Sequence, residues 1–302
     1  MNQIIDINIA SYNHANYLRH TLDSVLSQQT TFSYRILIGD DCSTDGSIEI
    51  IKEYEKNFPD RILAIYQKVN LGLNHPEKNG VILLKKSTAK YIALLDGDDY
   101  WTDPLKLQKQ IDFLEANPSF SMCFHNALVT FEDKKKEARL FLSNVQKDVF
   151  TVQDLCKKNI IPTASLIFRS SIIKDIPDWF YRCPFGDWPL SLFIAEHGKV
   201  KYFNEVMSVY RVHSGGIWSK LDRIAQLKKI IKNTLTMNQL FKKKYQTFFY
   251  EELVLNYMEL CQLYRTKNIF YLFFYSLKLL LIRKYNKTAI SKQEIFKMFL
   301  TN

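Results

Sequence analysis

The chain has 302 residues, 47% hydrophobic and 24% charged, which is enough apolar mass for one large domain with an appendage or for two domains. No composition bias marks it as disordered, fibrous or disulfide-stapled. Its net charge of +10 is uneven: residues 219–302 hold sixteen Lys and Arg against five Asp and Glu, while residues 1–218 hold 25 basic and 26 acidic side chains.

The basic excess therefore belongs to the tail, and with no stacking platform or nucleic-acid motif beside it no nucleic-acid partner is expected. The five cysteines are scattered, without a CxxC pair or a zinc-type His spacing, and fit a reduced cytosolic compartment. The start "MNQIIDINIASYN" has no basic stretch followed by a long apolar run, so no leader peptide is expected. No stretch reaches about 18 uninterrupted apolar residues, the span of a membrane helix.

Apolar runs at 4–10, 34–39, 61–66 and 90–95 read as strands. Between them, 16–28, 43–57 and 75–87 carry apolar residues at helical spacing. This β-α-β-α-β-α-β series predicts an α/β fold, a mainly parallel sheet flanked by helices. Such sheets bind ligands beyond the carboxyl ends of their strands. The loops at those ends are "SYNHANY", "DDCSTDGS", "NLGLN" and "DGDD". Ser43 or Thr44 can cap the following helix, but capping needs one such residue rather than acidic pairs at two loops.

A helix follows Trp101, with Pro104 in its first turn and Asn117-Pro118 at its end. Residues 119–131 and 163–168 read as further strands, and 132–148 as a polar surface excursion. The stretch "PFGDWPLSLFIAEHG" predicts a helix from 187 to 197, stopped by Gly198. A strand pair is expected near 200–210, and a helical region from Ser219 onward. The domains expected are therefore 1–218 and 219–302.

Four constellations carry chemistry. Asp96 and Asp98 leave one strand end two residues apart, an oxygen-donor set suited to Mg2+ or Mn2+, or simply an acidic capping loop. Asp40 and Asp41 either meet a nucleoside or cap the next helix. Asp187, at a helix start, serves as a base or as a cap. His213, in "YRVHSGG", is a candidate metal or diphosphate contact or a structural histidine.

The ordered set "IASYNHANYLRHTLDSVLSQ", "ILIGDDCSTDGS", "NLGLNHPEKNG", "YIALLDGDDYWTDPLKLQKQIDFL", "PFGDW" and "YRVHSGG" resembles the inverting glycosyltransferases of family two, with the GT-A fold and, here, a C-terminal helical extension. The resemblance spans about residues 5–216. It implies transfer from a nucleoside-diphosphate sugar, most simply a UDP-sugar, to a hydroxyl of a saccharide or lipid-linked acceptor, with Mn2+ or Mg2+ as cofactor. Ser11, Tyr12 and Asn13 are expected to flank the base, and Asp41 to read uracil with Asp40 beside it. Asp96 and Gly97 are expected at the ribose or metal shell, Asp98 at the metal with Asp99 as an auxiliary, and His213 at the metal and diphosphate. Lys78 stands at the family's basic donor contact. Asp187 is expected as the catalytic base, although Gly186 replaces the Glu that usually precedes it.

Trp101, Trp188 and Trp218 either stack on sugars or pack, and 127–150 with 217–220 are expected to wall the acceptor side. The tail stretch "NIFYLFFYSLKLLLIRKYNK" either packs on the rest of the chain or makes peripheral contact with the inner face of a membrane. A nucleotidyltransferase would want a Gly-rich basic loop after the first strand, which "SYNHANY" is not. A non-catalytic sugar-nucleotide binder would not need Asp187.

Overall fold

The computed structural model describes residues 3–285 apart from 73, 74, 76, 77, 134, 135, 176, 178, 179, 181, 182, 184, 185, 242, 243 and 266. Parts of "NLGLN", of the expected start of the third helix, of the 132–148 excursion and of "PFGDW", and all of 286–302, lie outside the described residues.

The first half alternates β1 (Ile5–Ser11), α1 (Ala15–Leu26), β2 (Tyr34–Asp40), α2 (Ser47–Asn57), β3 (Ile62–Tyr66), α3 (Asn79–Lys86) and β4 (Tyr91–Asp96). The four strands pair in parallel in the order β3-β2-β1-β4. Every residue of β1 except Ala10 is buried, as expected of a strand covered on both faces. Its Ile5, Ile7 and Ile9 pack with Leu18, Leu22 and Val25 of α1 in the main core.

The register has a functional consequence. Ser11 faces Asp40, and Ala10 faces Asp96. From β1 the chain steps outward to β2 and β3, then returns to the other side of β1 with β4. The strand order reverses there, so a crevice opens at the carboxyl ends of β1 and β4.

Beyond β4 come β5 (Tyr100–Trp101), α4 (Lys106–Ala116), β6 (Phe120–Phe131), β7 (Arg139–Leu140), β8 (Val149–Phe150), α5 (Val152–Lys157), β9 (Ile167–Arg169), α6 (Asp187–Ala195) and β10 (Lys199–Val212). Here the sheet becomes mixed: β9 is antiparallel to both β4 and β6, and β10 runs parallel to β6.

The expected strand at 163–168 divides into a 3-10 turn at Thr163–Ser165 and β9, because Ser165 turns back onto the Pro162 carbonyl through its N–H (2.9 Å) and hydroxyl (2.6 Å). The expected strand pair near 200–210 is instead one strand, β10. Both its ends pair with β6 in the same direction, so the polar Asn204-Glu205 stretch makes a bulge between Phe203 and Val206 rather than a hairpin. The polar excursion contributes β7 to the sheet through Leu128 opposite Leu140.

Two compact units divide the chain. The first comprises Met1–Val152, Ile160–Arg182 and Gly186–Gly215; the second comprises Gln153–Asn159, Cys183–Phe185 and Gly216–Asn302. The second unit carries α7 (Arg223–Leu240), α8 (Gln246–Tyr264) and α9 (Ile269–Tyr285), with its own core of Leu227, Ile231, Leu253, Val254, Leu260, Leu272 and Leu279. Among the described residues, no helix is long and apolar enough to cross a membrane.

Candidate active site

The loops after β1 and β2 are stitched together by their small polar residues. Asn13, with φ 55°, donates its N–H to Ser43 Oγ at 2.8 Å and accepts from Thr44 N–H at 2.8 Å. The next two amides, of His14 and Ala15, donate to Ser47 Oγ (3.0 Å) and Asp45 Oδ2 (2.9 Å). The β2–α2 loop thus satisfies the orphan donors at the start of α1, a neighbouring helix. Ser43 and Thr44 do not cap α2, whose N-cap is Gly46 at φ 94° without a side-chain bond.

The acidic pair is equally engaged. Asp40 accepts from Ser43 N–H (2.8 Å) and Ser43 Oγ–H (2.6 Å). Asp41 accepts from the N–H groups of Leu71 (2.8 Å) and Gly72 (3.0 Å), so it braces the loop after β3. Lys78 is half-buried in extended backbone at the N-cap of α3. Its neighbour Asn79 donates to the Gly39 carbonyl at 2.7 Å, an approach so close that a Cβ on Gly39 would overlap the Asn79 carboxamide.

The loop after β4 lies at the crevice. Gly97 is buried: a Cβ there would stand 2.8 Å from His14 Nδ1 and 3.3 Å from the Ala10 carbonyl, which is why this position takes glycine. Thr21 of α1 bonds the carbonyls of Gly97 (2.9 Å) and Asp99 (2.7 Å), fixing the turn from below.

Asp98 Oδ2 is 2.9 Å from His213 Nε2 and 3.5 Å from His14 Nε2, so one carboxylate and two imidazoles converge on one point. Burial alone would push the Asp98 carboxyl up, but the His213 bond and the charges of His14 and His213 outweigh it and hold it below its ordinary value. His14 is pushed down by burial, against the pull of Asp98.

Asp96 is pushed up to about 8, by burial first and then by the charges of Asp98 and Asp187. Asp99 is raised by burial, Asp98 and Asp96, and its Oδ1 accepts the Arg211 N–H at 2.9 Å. Asp187 is the first residue of α6, half-buried. The Tyr210 phenol is raised by burial and then by Asp99, Asp96, Asp98 and Asp187, so all four carboxylates share its surroundings.

Sequence reasoning missed several residues that organise this site. Arg211 Nη1 donates to the Asp98 carbonyl at 2.6 Å, and its Nη2 is 2.7 Å from His20 Nδ1. Its guanidinium lies 4.3 Å from the Tyr100 ring centroid and 5.4 Å from that of Tyr17. The Tyr17 ring is 4.5 Å from His213, and its hydroxyl donates to Glu132 at 2.8 Å. The "YRVHSGG" stretch held the only available signal, an Arg two residues before a candidate His.

Trp101 and Trp188 are buried, and Trp101 donates its indole N–H to the Ala164 carbonyl at 2.8 Å; both pack rather than offer a face to a sugar. Trp218 and the expected wall at 217–220 belong to the second unit.

Among the described residues, no three His, Cys, Asp or Glu side chains form a closed cation cage. Nucleotide-bound Mg2+ and Mn2+ do not need one, since one or two protein ligands, phosphate oxygens and water complete the shell. The residues present fit such an ion. Carboxylate and imidazole donors converge at Asp98, and the buried Ser11 Oγ and His14 Nδ1, both beside Gly97, have no protein partner.

Known proteins share this fold. The structure is similar to the crystal structure of S. aureus TarS in complex with UDP-GlcNAc, with TM-score 0.60 and 14% identity, covering 83% of this chain and 72% of that one. It is similar also to the mannosyltransferase PcManGT from Pyrobaculum calidifontis in complex with GDP-Man and Mn2+, with TM-score 0.61, 14% identity, and coverage of 99% and 79%. The fold is therefore the GT-A fold.

In sequence, an uncharacterized protein of Mycobacterium tuberculosis is 36% identical over 209 residues, and the chain spans only 58% of that relative's length. The putative teichuronic acid biosynthesis glycosyltransferase TuaG of Bacillus subtilis is 35% identical over 223 residues, which is 72% of this chain and 82% of TuaG. WfaP of Escherichia coli, a UDP-Glc:alpha-D-GlcNAc-diphosphoundecaprenol beta-1,3-glucosyltransferase, is 30% identical over 216 residues, 71% of this chain and 80% of its own. The Glycosyl transferase family 2 profile matches residues 6–176, and on these grounds the chain belongs to glycosyl transferase family 2.

Proposed function

We propose that this chain transfers a sugar from a nucleoside diphosphate, a UDP-sugar, to a hydroxyl of a saccharide or lipid-linked acceptor, with inversion at the anomeric carbon. The observation that carries the reading is the convergence of Asp96, Asp98 and Asp187 around Tyr210 at the crevice beyond β1 and β4. The UDP-GlcNAc complex of TarS and the UDP-Glc donor in the name of WfaP support the choice of nucleotide.

Ser11, Tyr12 and Asn13 flank the base in this reading. Asp41 keeps acceptor capacity for a uracil imino N–H, since each carboxylate oxygen can take a second bond beside those from Leu71 and Gly72. Asp40 holds that loop in place through Ser43, and Lys78 contacts the donor from the start of α3. Asp98 and His213 would hold Mn2+ or Mg2+, with Asp96 and Gly97 at the ribose side; the mixed oxygen and nitrogen donors suit Mn2+ better. A divalent cation, when bound, offsets the charge that builds on the leaving diphosphate.

Asp187 takes the proton from the acceptor hydroxyl as that oxygen bonds the anomeric carbon. The bond from this carbon to the diphosphate oxygen breaks on the opposite face, and one displacement inverts the configuration. Residues 1–218 carry this chemistry, and 219–302 form the helical region.

The test is a screen of UDP- and GDP-sugars for hydrolysis and transfer with Mn2+, followed by Asp187→Asn. That variant should keep donor binding and lose about 10²–10⁴-fold in transfer. Undiminished transfer would remove Asp187 from the mechanism, and absence of turnover with every donor would favour a binding protein.

A further inference from the structure

The second unit exposes an apolar surface that its own packing does not use. One face of α9, with Leu272, Tyr275, Ser276 and Leu279, is buried, and its apolar members join the core built with α7 and α8. The opposite face carries Phe270, Phe273, Phe274, Leu277, Leu280 and Leu281, each between 41% and 84% exposed. These positions recur at three- and four-residue steps, so they form one stripe about 16 Å long at a rise of ~1.5 Å per residue. Single exposed apolar residues are ordinary on a protein surface, whereas a continuous stripe of three Phe and three Leu marks a contact site.

Charge identifies the contact. Residues 269–302 contain six Lys or Arg and one Glu, within a tail that holds the whole positive excess of the chain. Lys278 is exposed on α9 with its Nζ 5.3 Å from the Phe274 ring centroid, at the margin of the stripe. Lys228 of α7 lies 5.3 Å from the ring of Tyr271, which is itself partly exposed. Protein–protein interface cores are depleted in Lys. Lysines rimming an aromatic and leucine-rich helix face match an anionic lipid surface, where rings and aliphatic chains enter below the headgroups and ammonium groups meet phosphates. Among the described residues the helix is not long and apolar enough to cross the bilayer, and in this docking it would lie in the plane of the surface.

We infer that the α9 stripe is a docking surface for an anionic phospholipid bilayer, to which this chain binds peripherally. The inference stands on the second unit alone and does not depend on the transferase reading.

The test is co-sedimentation of the full-length chain with vesicles of phosphatidylcholine alone or mixed with phosphatidylglycerol, comparing wild type with the double variant Phe270→Ser/Phe273→Ser. Both side chains are largely exposed, so the double variant should keep its circular dichroism and melting temperature. The wild type should sediment with the anionic vesicles, remain in solution with the neutral ones, and be released by added salt. The double variant should bind the anionic vesicles about tenfold or more weakly, the worth of a buried aromatic ring.

Wild-type protein that stays in solution with anionic vesicles, or a folded double variant that binds as well as wild type, would overturn the inference. Equal binding to both vesicle types would overturn its electrostatic half. A dimer seen by light scattering without vesicles, and dissolved by the same two substitutions, would overturn it in favour of a second copy as the occupant.

Discussion

Arg211→Met tests whether the DGDD loop is held from outside. In the native chain, Arg211 Nη1 reaches the Asp98 carbonyl at 2.6 Å, and the guanidinium stacks between Tyr100 and Tyr17. Methionine retains much of the aliphatic stem and the backbone N–H that serves Asp99, so only the guanidinium interactions disappear. A hydrogen bond with one charged partner contributes about 1.5–3 kcal/mol, and a partly exposed cation–π contact about 0.5–1 kcal/mol. The expected loss is thus about 2–4 kcal/mol, a fall in melting temperature of about 4–16 °C for a unit of this size.

Because the lost bond fixes the backbone of Asp98, Mn2+-dependent donor affinity should fall as well, by about tenfold for each ~1.4 kcal/mol transmitted to the site. Thermal unfolding with and without donor, and calorimetric titration of the donor, measure the two effects separately. Arg211→Lys should be intermediate, since it keeps the charge but loses the planar stack and the second nitrogen that faces His20. An Arg211→Met protein that melts within about 1 °C of wild type and binds donor with unchanged affinity would refute the clamp.

Asp98→Asn should weaken donor binding in the presence of Mn2+ far more than in its absence, read by the same titration; equal loss in both conditions would exclude Asp98 as an ion ligand. Gly39→Ala should destabilise the chain by about 1–3 kcal/mol in urea denaturation, because the new Cβ displaces the Asn79 carboxamide from the Gly39 carbonyl. An unchanged midpoint would show that α3 can shift freely.

Lys106→Met gives a pH test. Lys106 is fully buried, its Nζ lacks a hydrogen-bond partner and lies 4.1 Å from the Trp101 ring centroid, and burial pushes its pKa down to about 7. Unfolded, it titrates near 10.5, so between about pH 7 and 10 the unfolded chain binds the extra proton and wild-type stability rises with pH. Wild type should therefore gain on the variant across that window in paired urea melts, and parallel pH profiles would contradict a buried, unpaired amine.

The parallel half of the sheet is legible because each apolar run is followed by a turn and an amphipathic helix, a purely local pattern. The crevice is legible too, since the loops at the carboxyl ends collect acidic and small residues. The division of labour among those acids is not. Asp40, Asp41 and Asp99 look like Asp96 and Asp98 in the sequence, yet they accept hydrogen bonds from Ser43, from the amides of Leu71 and Gly72, and from the amide of Arg211. Backbone donors leave no mark on residue type, so no pattern announces them. Arg211 stands 113 positions from Asp98, and Thr21 stands 76 from Gly97; only the assembled sheet and its covering helix bring them together. The bulged β10 was obscured in the same way, because Asn204-Glu205 reads as a turn until the shared partner β6 fixes the direction on both sides.

The kind of partner each carboxylate has also separates scaffold from chemistry. A backbone N–H can donate to a carboxylate but cannot itself ligate a cation, so the main-chain contacts that engage Asp41 and Asp99 commit those groups to holding loops. Asp98 has instead the imidazoles of His213 and His14, and an imidazole nitrogen can change from hydrogen-bond partner to ligand when a cation arrives. The Asp98 position can thus exchange its imidazole contacts for an ion while its own N–H stays beside it, whereas drawing Asp41 toward a metal would strip the amides of two other residues, Leu71 and Gly72, of their acceptor. On that asymmetry, the proposed ion would fall to Asp98 and His213, and the proposed nucleotide-facing rim to Asp41.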